Sequence, residues 1–377
     1  MDRQALSGES IRHGRRRELL PFRMNNLVAA HSHMIEGPYL ADLHVQPDAL
    51  RAVRGELERT TLDAAVAAGL CSGRFQRVVL TGMGSSLHAL YPLHRRLSAA
   101  GFASHWIETA ELLLGFEALY REDTLLVAVS QSGESAEVVA LLPRAAEFGH
   151  LIGVTNNIGS RLGRAATTTL RLCAGVESTV SCKTYLNTLA VLHWLGAQLT
   201  AGEARAALAD LEQAERGVRE YLARWREHVD ELRPMLDGIE SIFVTGRGDS
   251  LATAGTGGLI LKESTRQHAE GMSAAAFRHG PLEMAGSRVL VLIFEGDDAT
   301  TLLHRRLADD IVRGGGNAVL IGEGTAGVDV FRLPKVPASV RPIVEILPVQ
   351  MLSLALAARD GFEAGRFTRA SKITDIA

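Results

Sequence analysis

The chain has 377 residues, of which 46% are hydrophobic and 22% charged, and its formal net charge at neutral pH is −3. This length exceeds what one compact core accommodates, and the composition is that of an ordinary soluble globular protein, so we expect two domains. The small net charge gives no reason to expect a nucleic-acid partner, and the absence of any run of about 18 uncharged apolar residues argues against a membrane span.

The three cysteines, Cys71, Cys173 and Cys182, lack the paired spacing of a zinc site. Their odd number also argues against a disulfide framework. We therefore expect no metal and a cytoplasmic location, where thiols stay reduced.

The N-terminal stretch carries a basic cluster that is not a secretory signal, because no apolar run of about seven residues follows it. We interpret the cluster as a solvated tail, with a nucleic-acid-binding arm as the alternative. Residues 1–47 are predicted to be an extension and a lead-in to the first domain. The cluster consists of Arg12, Arg15, Arg16 and Arg17.

Two segments of the chain repeat with one constant offset. Residues 78–86 (VVLTGMGSS) match residues 242–250 (IFVTGRGDS), and residues 125–129 (LLVAV) match residues 289–293 (VLVLI). Both pairs are displaced by 164 positions, which is 242 minus 78 and 289 minus 125. Two strand-like segments in one register indicate a duplicated α/β unit.

The apolar runs of each half are unbroken, which is typical of strands buried on both faces of a parallel sheet. We predict an α/β fold of two tandem domains, residues 48–200 and 235–365, each a parallel sheet with helices on both faces, as in flavodoxin. Residues 201–234 are predicted to form a connecting helix that ends at Pro234. Its apolar positions are spaced by 4, 3, 4 and 3 residues, at Val218, Leu222, Trp225, Val229 and Leu232.

The loop after residues 125–129 is rich in side chains that suit a phosphate group. Hydroxyl and amide donors beside backbone N–H groups at a helix start can bind a dianion, although such serines also act as helix caps. The matching positions of the second half include Glu295 and Asp297, which would repel an anion, so we predict phosphate binding in the first half alone. The predicted ligands are Ser130, Gln131, Ser132 and Ser135, with Ser86 from the loop after the first strand.

Gly82 and Gly84 do not complete a dinucleotide fingerprint, because Leu87 stands where the third glycine is required. Leu251 occupies the corresponding place in the second copy. We expect no cofactor.

Glu263 and His279 are candidates for acid–base chemistry. Glu263 follows the apolar run 259–261, where a carboxylate is costly to bury without a role, and Gly280-Pro281 forms a rigid turn that could present His279 to a cleft. A carboxylate with a raised pKa would suit proton abstraction beside a carbonyl. The alternative is an exposed helical acid and a capping histidine.

Together these features resemble the sugar isomerase (SIS) family, in detail the isomerase half of the glucosamine-6-phosphate synthases and the SIS-type aminosugar-phosphate deaminases. The resemblance extends from about residue 39 to the C-terminus. Its motifs are YLADLHVQP at 39–47, SQSGES at 130–135, ESTVSCK at 177–183, RHGPL at 278–282 and ASKITDIA at 370–377.

The resemblance implies a role for each site residue. Ser86, Ser130, Gln131, Ser132 and Ser135 would hold the sugar phosphate. Glu263 would move a proton between C1 and C2, His279 would assist ring opening, and Lys372, in the tail formed by residues 366–377, would form an imine with the open-chain ketose. In this family the histidine is supplied across a dimer interface, so a homodimer is implied.

The chain departs from the synthases at several places. Asp42 replaces a glutamate, Ile260 replaces a lysine three residues before Glu263, and Ala276 replaces a frequent glutamate. It begins Met1-Asp2, without the glutaminase domain that supplies ammonia, so we expect an aminosugar-phosphate deaminase. An aldose–ketose phosphate isomerase, a deglycase of sugar–amine conjugates and a glutaminase-less aminotransferase remain open, as does a sugar-phosphate-sensing module without catalysis.

Overall fold

The computed structural model describes residues 35–177, 179–200, 202–323 and 331–369. Lys372 and most of the predicted N-terminal extension lie outside these residues. The stretch of the extension that is described, from Ile35 onward, belongs to the core: Tyr39 and Leu43 are fully buried.

The first half folds around a sheet of five parallel strands in the order β2-β1-β3-β4-β5, which is the flavodoxin order. Successive residues of β1 alternate between two cores, since Val78 and Leu80 pack on one face and Val79 on the other. The strands are β1 (Arg77–Gly82), β2 (Ala103–Glu108), β3 (Thr124–Val129), β4 (His150–Thr155) and β5 (Thr168–Arg171).

Helices cover both faces of this sheet, as buried parallel strands require. The chain enters through α1 and α2, and α9 leaves the sheet toward the second half. The helices are α1 (Pro38–His44), α2 (Gln46–Arg59), α3 (Ala64–Cys71), α4 (Gly84–Ala89), α5 (Tyr91–Ala99), α6 (Thr109–Gly115), α7 (Ala136–Leu141), α8 (Arg161–Ala165) and α9 (Lys183–Leu199).

Between the halves, the segment predicted as a connecting helix consists of two helices, α10 (Ala204–Ala223) and α11 (Trp225–Leu232). They meet at Arg224, whose backbone leaves helical geometry at φ −111° and ψ 20°. A 3₁₀ turn, Arg233–Leu236, follows α11.

The second half repeats the first sheet in the order β7-β6-β8-β9, again with all strands parallel. The predicted pair of tandem α/β units is therefore confirmed. The strands are β6 (Ser241–Gly246), β7 (His268–Ser273), β8 (Val289–Phe294) and β9 (Asn317–Ile321). The helices are α12 (Ser250–Thr265), α13 (Ala274–Phe277), α14 (Asp298–Arg313) and α15 (Arg341–Arg359).

The last helix, α15, joins the two halves. The segment Ala338–Arg359 is long and apolar enough to cross a membrane, but 94% of its most apolar window is buried inside the protein, as in the core helix of a globular fold. Buried polar pairs tie it to the lead-in: the amides of Gln350 and Gln46 exchange hydrogen bonds of 2.9 and 3.0 Å, and the Ser353 hydroxyl bonds the Tyr39 hydroxyl at 3.2 Å.

Candidate active site

The predicted phosphate ligands meet at one edge of the first sheet. β1 and β3 are neighbours, and the last residue of β1, Gly82, lies opposite the last residue of β3, Val129. Ser86 and Ser130 follow these two ends, so the pairing of the strands brings them to the same edge. Ligands of parallel sheets bind at this carboxyl edge.

The loop after β3 is held in a compact turn by its own hydroxyls. The Ser130 and Ser135 hydroxyl oxygens lie 3.1 Å apart, and Ser130 also accepts a 3.1 Å hydrogen bond from the Gly133 N–H. Ser132 accepts from the Glu134 N–H at 3.1 Å. Ser135 stands at the N-cap of α7 and makes no side-chain capping bond, so helix capping does not explain its presence.

Gly133 is required at the centre of this turn. Its φ is +67°, a left-handed conformation that favours glycine, and a Cβ there would lie 2.0 Å from the Ser160 hydroxyl oxygen. Neighbouring chain fixes the loop from outside, because the Asn156 N–H donates to the Gln131 carbonyl at 3.0 Å and Arg161 binds Glu134. The loop is therefore pre-formed.

Glu263 reaches the same region from the second half, on α12. Helix α12 packs against α4 in antiparallel fashion: a Cβ at Gly84 would lie 3.3 Å from Leu259, and one at Gly255 would lie 2.4 Å from the His88 ring. One further turn along α12 places Glu263 beyond the start of α4, on the side where β1 ends. Its neighbour Lys262 turns away to the surface and pairs with Glu270 at 3.6 Å.

Glu263 is half-buried and lies close to Tyr39 of the lead-in helix. The pKa of Tyr39 is raised, mainly by its complete burial, and the negative charge of Glu263 contributes. The chain also returns to this point near its end, because the Gly365 N–H donates to the Ser264 carbonyl at 3.3 Å. Gly365 therefore lies next to the residue that follows Glu263; Lys372 itself lies outside the described range of the chain.

His279 lies elsewhere, in the turn after α13 at the edge of the second sheet. Its backbone N–H bonds the Ala276 carbonyl at 2.9 Å, Gly280 follows with a φ of +135°, and the imidazole is exposed. Among the described residues its side chain makes no hydrogen bond or ion pair within the chain. The packing of α12 on α4 thus directs Glu263 toward the end of β1, the strand next to the one that leads into the phosphate loop, whereas His279 lies on the surface.

The ESTVSCK motif stabilises the loop between β5 and α9. The sequence analysis did not predict this role. The Glu177 carboxylate accepts hydrogen bonds from the backbone N–H groups of Cys182 and Thr184, at 3.0 and 3.1 Å. Lys183, at the start of α9, forms a buried 2.8 Å ion pair with Asp42. The loop lies at the carboxyl edge of the first sheet.

His88 of α4 was not predicted as a site residue, because an isolated histidine in a helical pattern gives no indication of a role.

Within the described ranges, no group of three or more His, Cys, Asp or Glu side chains is arranged to hold a metal ion. The chemistry available at this edge consists of hydroxyl and amide donors, a half-buried carboxylate and the residues that position them.

Known proteins share this architecture. A solved C-terminal domain of glucosamine-fructose-6-phosphate aminotransferase from Francisella tularensis superposes with a TM-score of 0.76 at 20% identity, covering 89% of this chain and 100% of that one. Glucosamine-6-phosphate deaminase from Thermotoga maritima gives 0.71 at 16% identity, with coverage of 89% and 99%. Tagatose-6-phosphate ketose/aldose isomerase from Escherichia coli gives 0.68 at 17%, with coverage of 88% and 96%. These likenesses show the fold.

Sequence comparison identifies the family. The glutamine–fructose-6-phosphate aminotransferase of Pyrococcus horikoshii is 31% identical over 309 residues, which are 78% of this chain and 50% of that protein. That of Thermococcus kodakarensis is 31% identical over 341 residues, 85% of this chain and 55% of that protein. The chain thus spans about half the length of these curated relatives. The SIS domain model matches residues 74–197 and 235–327, and the chain therefore belongs to the SIS domain family, with one SIS domain in each half.

Proposed function

We propose that this protein is a sugar-phosphate isomerase of the SIS type that acts as an aminosugar-phosphate deaminase, converting a substrate such as glucosamine-6-phosphate into a ketose phosphate and ammonia. The observation that carries the proposal is the pre-formed hydroxyl turn of Ser130, Ser132 and Ser135 at the carboxyl edge of the first sheet. Helix α12, which carries Glu263, packs against α4 at the same edge. The names of the relatives and structural neighbours support a phosphosugar substrate.

Ser86, Ser130, Gln131, Ser132 and Ser135 hold the phosphate, which leaves the other end of the sugar free to reach α12. No lysine is needed, because hydroxyls and turn N–H groups supply the donors. Phosphate binding far from the reacting carbons orients C1 and C2.

Glu263 removes the proton from C2 of the open-chain aminosugar and returns it to C1, while a second proton passes from the amine nitrogen to O1. The C1 aldehyde and C2 amine become a C1 hydroxyl and a C2 imine. Lys372 attacks C2, expels ammonia and forms an imine with the ketose, and water releases the product. His279 assists ring opening.

A homodimer completes the site. His279 is exposed, and its side chain has no partner among the described residues of its own chain, which suits a residue that serves the site of a second copy. This element of the proposal predicts that the active species is a dimer in solution.

The test is to incubate the purified protein with glucosamine-6-phosphate and to measure ammonia and fructose-6-phosphate. We expect both products in equal amounts, a loss of at least about a hundredfold in kcat for Glu263→Gln, and borohydride trapping of the ketose on Lys372. Asp309→Asn, which removes an exposed carboxylate on α14 of the second half, outside the proposed site, is the control.

The other outcomes separate the alternatives. Interconversion of aldose and ketose phosphates without ammonia would replace deamination by simple isomerisation. Binding of hexose phosphates without any product would make the protein a sensor. If borohydride treatment during turnover leaves Lys372 unmodified, the imine step is removed from the mechanism.

A further inference from the structure

His88 lies at the contact between the two halves of the proposed site, and the proposed mechanism does not use it. It belongs to α4, two residues after Ser86, which is a predicted phosphate ligand. Its imidazole lies over Gly255 of α12, where a Cβ would stand 2.4 Å from Nδ1 and 2.6 Å from Cε1. The absence of a side chain at Gly255 is what admits the ring.

Helices α4 and α12 make a second contact, one helical turn from the first along each helix. Gly84, four residues before His88, packs against Leu259, four residues after Gly255. Residues four apart lie on one face of a helix, so these two contacts fix the register of α4 against α12. The next position on that face of α12 is Glu263, and the next feature beyond α4 is the end of β1.

The ring is also held from the side of the first sheet. Trp106 of β2 lies 6.5 Å from it, measured between ring centroids, and the Trp106 indole N–H donates to the Leu87 carbonyl at 2.7 Å. Burial lowers the pKa of His88 to about 4, and the positive charge of Lys262 contributes to the shift. At neutral pH the ring is therefore uncharged.

We propose that His88 is a positioning residue: by filling the space above Gly255, its imidazole sets the distance between the phosphate-binding turn of the first SIS domain and Glu263 of the second. The proposal rests on the proposed function, since it assigns Ser86 to the phosphate and Glu263 to the proton transfer. The proposal gives His88 no contact with the substrate.

The test is a double-mutant cycle with His88→Ala, Gly255→Ala and the double variant, assayed for turnover of glucosamine-6-phosphate and for unfolding in urea. Misplacing a reacting group by about 1 Å costs on the order of a hundredfold in rate. We expect each single variant to lower kcat by about ten- to a hundredfold and to change KM by less than about threefold, because the phosphate ligands remain. The double variant should be more active than Gly255→Ala, since removal of the ring relieves the overlap with the new methyl group.

Two further variants separate positioning from stability. His88→Gln keeps a flat, neutral side chain and should recover some of the kcat lost in His88→Ala. His94→Ala removes another half-buried histidine of the first SIS domain, whose Nδ1 lies 3.0 Å from the Ser104 hydroxyl; it should lower stability and leave kcat within about twofold of wild type.

Independent effects of the two substitutions on kcat, or a His88→Ala protein as active as wild type, would overturn the positioning role. A rise in KM alone would place His88 at the phosphate and overturn it too. If the wild type converts no hexose phosphate, the proposed function fails. The packing contact would still be supported if the double variant's loss in free energy of unfolding in urea differs from the sum of the two single losses at positions 88 and 255. A loss equal to that sum would overturn the contact as well.

Discussion

Among single residues, Asp42 and Lys183 form a buried ion pair. Their side chains are 12% and 6% exposed, and the ion pair is 2.8 Å long. Removing Asp42 leaves the buried charge of Lys183 without a counter-ion, with the Val176 carbonyl at 2.6 Å as a neutral acceptor. Breaking such a buried ion pair costs about 3–5 kcal/mol. We therefore expect Asp42→Ala to lower the free energy of unfolding by that amount, measured by urea denaturation.

Asp48 provides the matched control. It lies on the next helix, α2, is 63% exposed and pairs with Arg51 and Arg219. Exposed pairs contribute about 0–1 kcal/mol, so Asp48→Ala should be nearly neutral. Equal losses for the two substitutions would show that the buried pair is not the reason for the effect.

Within the proposed phosphate-binding turn, Gly133 can be compared with Gly296, a glycine of the loop after β8 in the second SIS domain. Gly133 and Gly296 both have a positive φ, +67° and +62°. A Cβ at Gly133 would overlap the Ser160 hydroxyl oxygen at 2.0 Å, whereas one at Gly296 would meet its nearest atom at 3.2 Å. Only the first substitution should therefore distort its loop.

We expect Gly296→Ala to cost about 1–2 kcal/mol of stability, the strain of a left-handed alanine, and to leave activity unchanged. Gly133→Ala should cost more and also weaken binding of fructose-6-phosphate at least about tenfold, because the hydroxyls around it move. Calorimetric titration measures the affinity. Unchanged affinity in Gly133→Ala would remove the turn from the phosphate site.

The elements themselves were largely predictable from the sequence, and their packing was not. Unbroken apolar runs revealed β1, β3, β6 and β8 because strands buried on both faces have no polar positions. The break at Arg224 left no signal, since Val218, Leu222, Trp225, Val229 and Leu232 all remain buried on either side of it. Helix α12 can approach α4 closely because Gly84 and Gly255 have no side chains. A pattern of apolar residues in the sequence does not reveal which glycines serve such a contact.

At the scale of the whole molecule, the duplication is symmetric in fold and asymmetric in use. In the second SIS domain the corresponding sheet edge is filled by ion pairs and hydrogen bonds: Arg95 of the first domain binds Asp249 at 2.7 Å, and Arg341 of α15 donates to the Gly296 carbonyl at 2.6 Å. One edge binds a ligand in our proposal, and the other joins the two domains. The predicted repulsion of anions by Glu295 and Asp297 is consistent with this second role.

The joint between the domains also contains a buried acid, Glu345 of α15. It accepts hydrogen bonds from Ser250 and Thr253 of α12, at 2.7 and 3.1 Å. Burial raises its pKa from 4.5 to about 7, although these two bonds oppose the rise. A raised pKa means that the folded protein binds the proton more tightly than the unfolded chain. The stability contributed by Glu345 is therefore complete below about pH 4.5 and is lost as the pH rises to about 7.

Replacing Glu345 with glutamine should remove this dependence, because the amide mimics the protonated acid at every pH. The shift corresponds to about 3 kcal/mol, so the stability of Glu345→Gln relative to wild type should rise by up to that amount between pH 4.5 and pH 8 in urea unfolding. Glu212→Gln on the exposed face of α10 removes a charge without burial and should show no such trend. A difference between Glu345→Gln and wild type that stays constant with pH would mean that the pKa of Glu345 is the same in the folded and unfolded protein, with the hydrogen bonds from Ser250 and Thr253 offsetting the effect of burial.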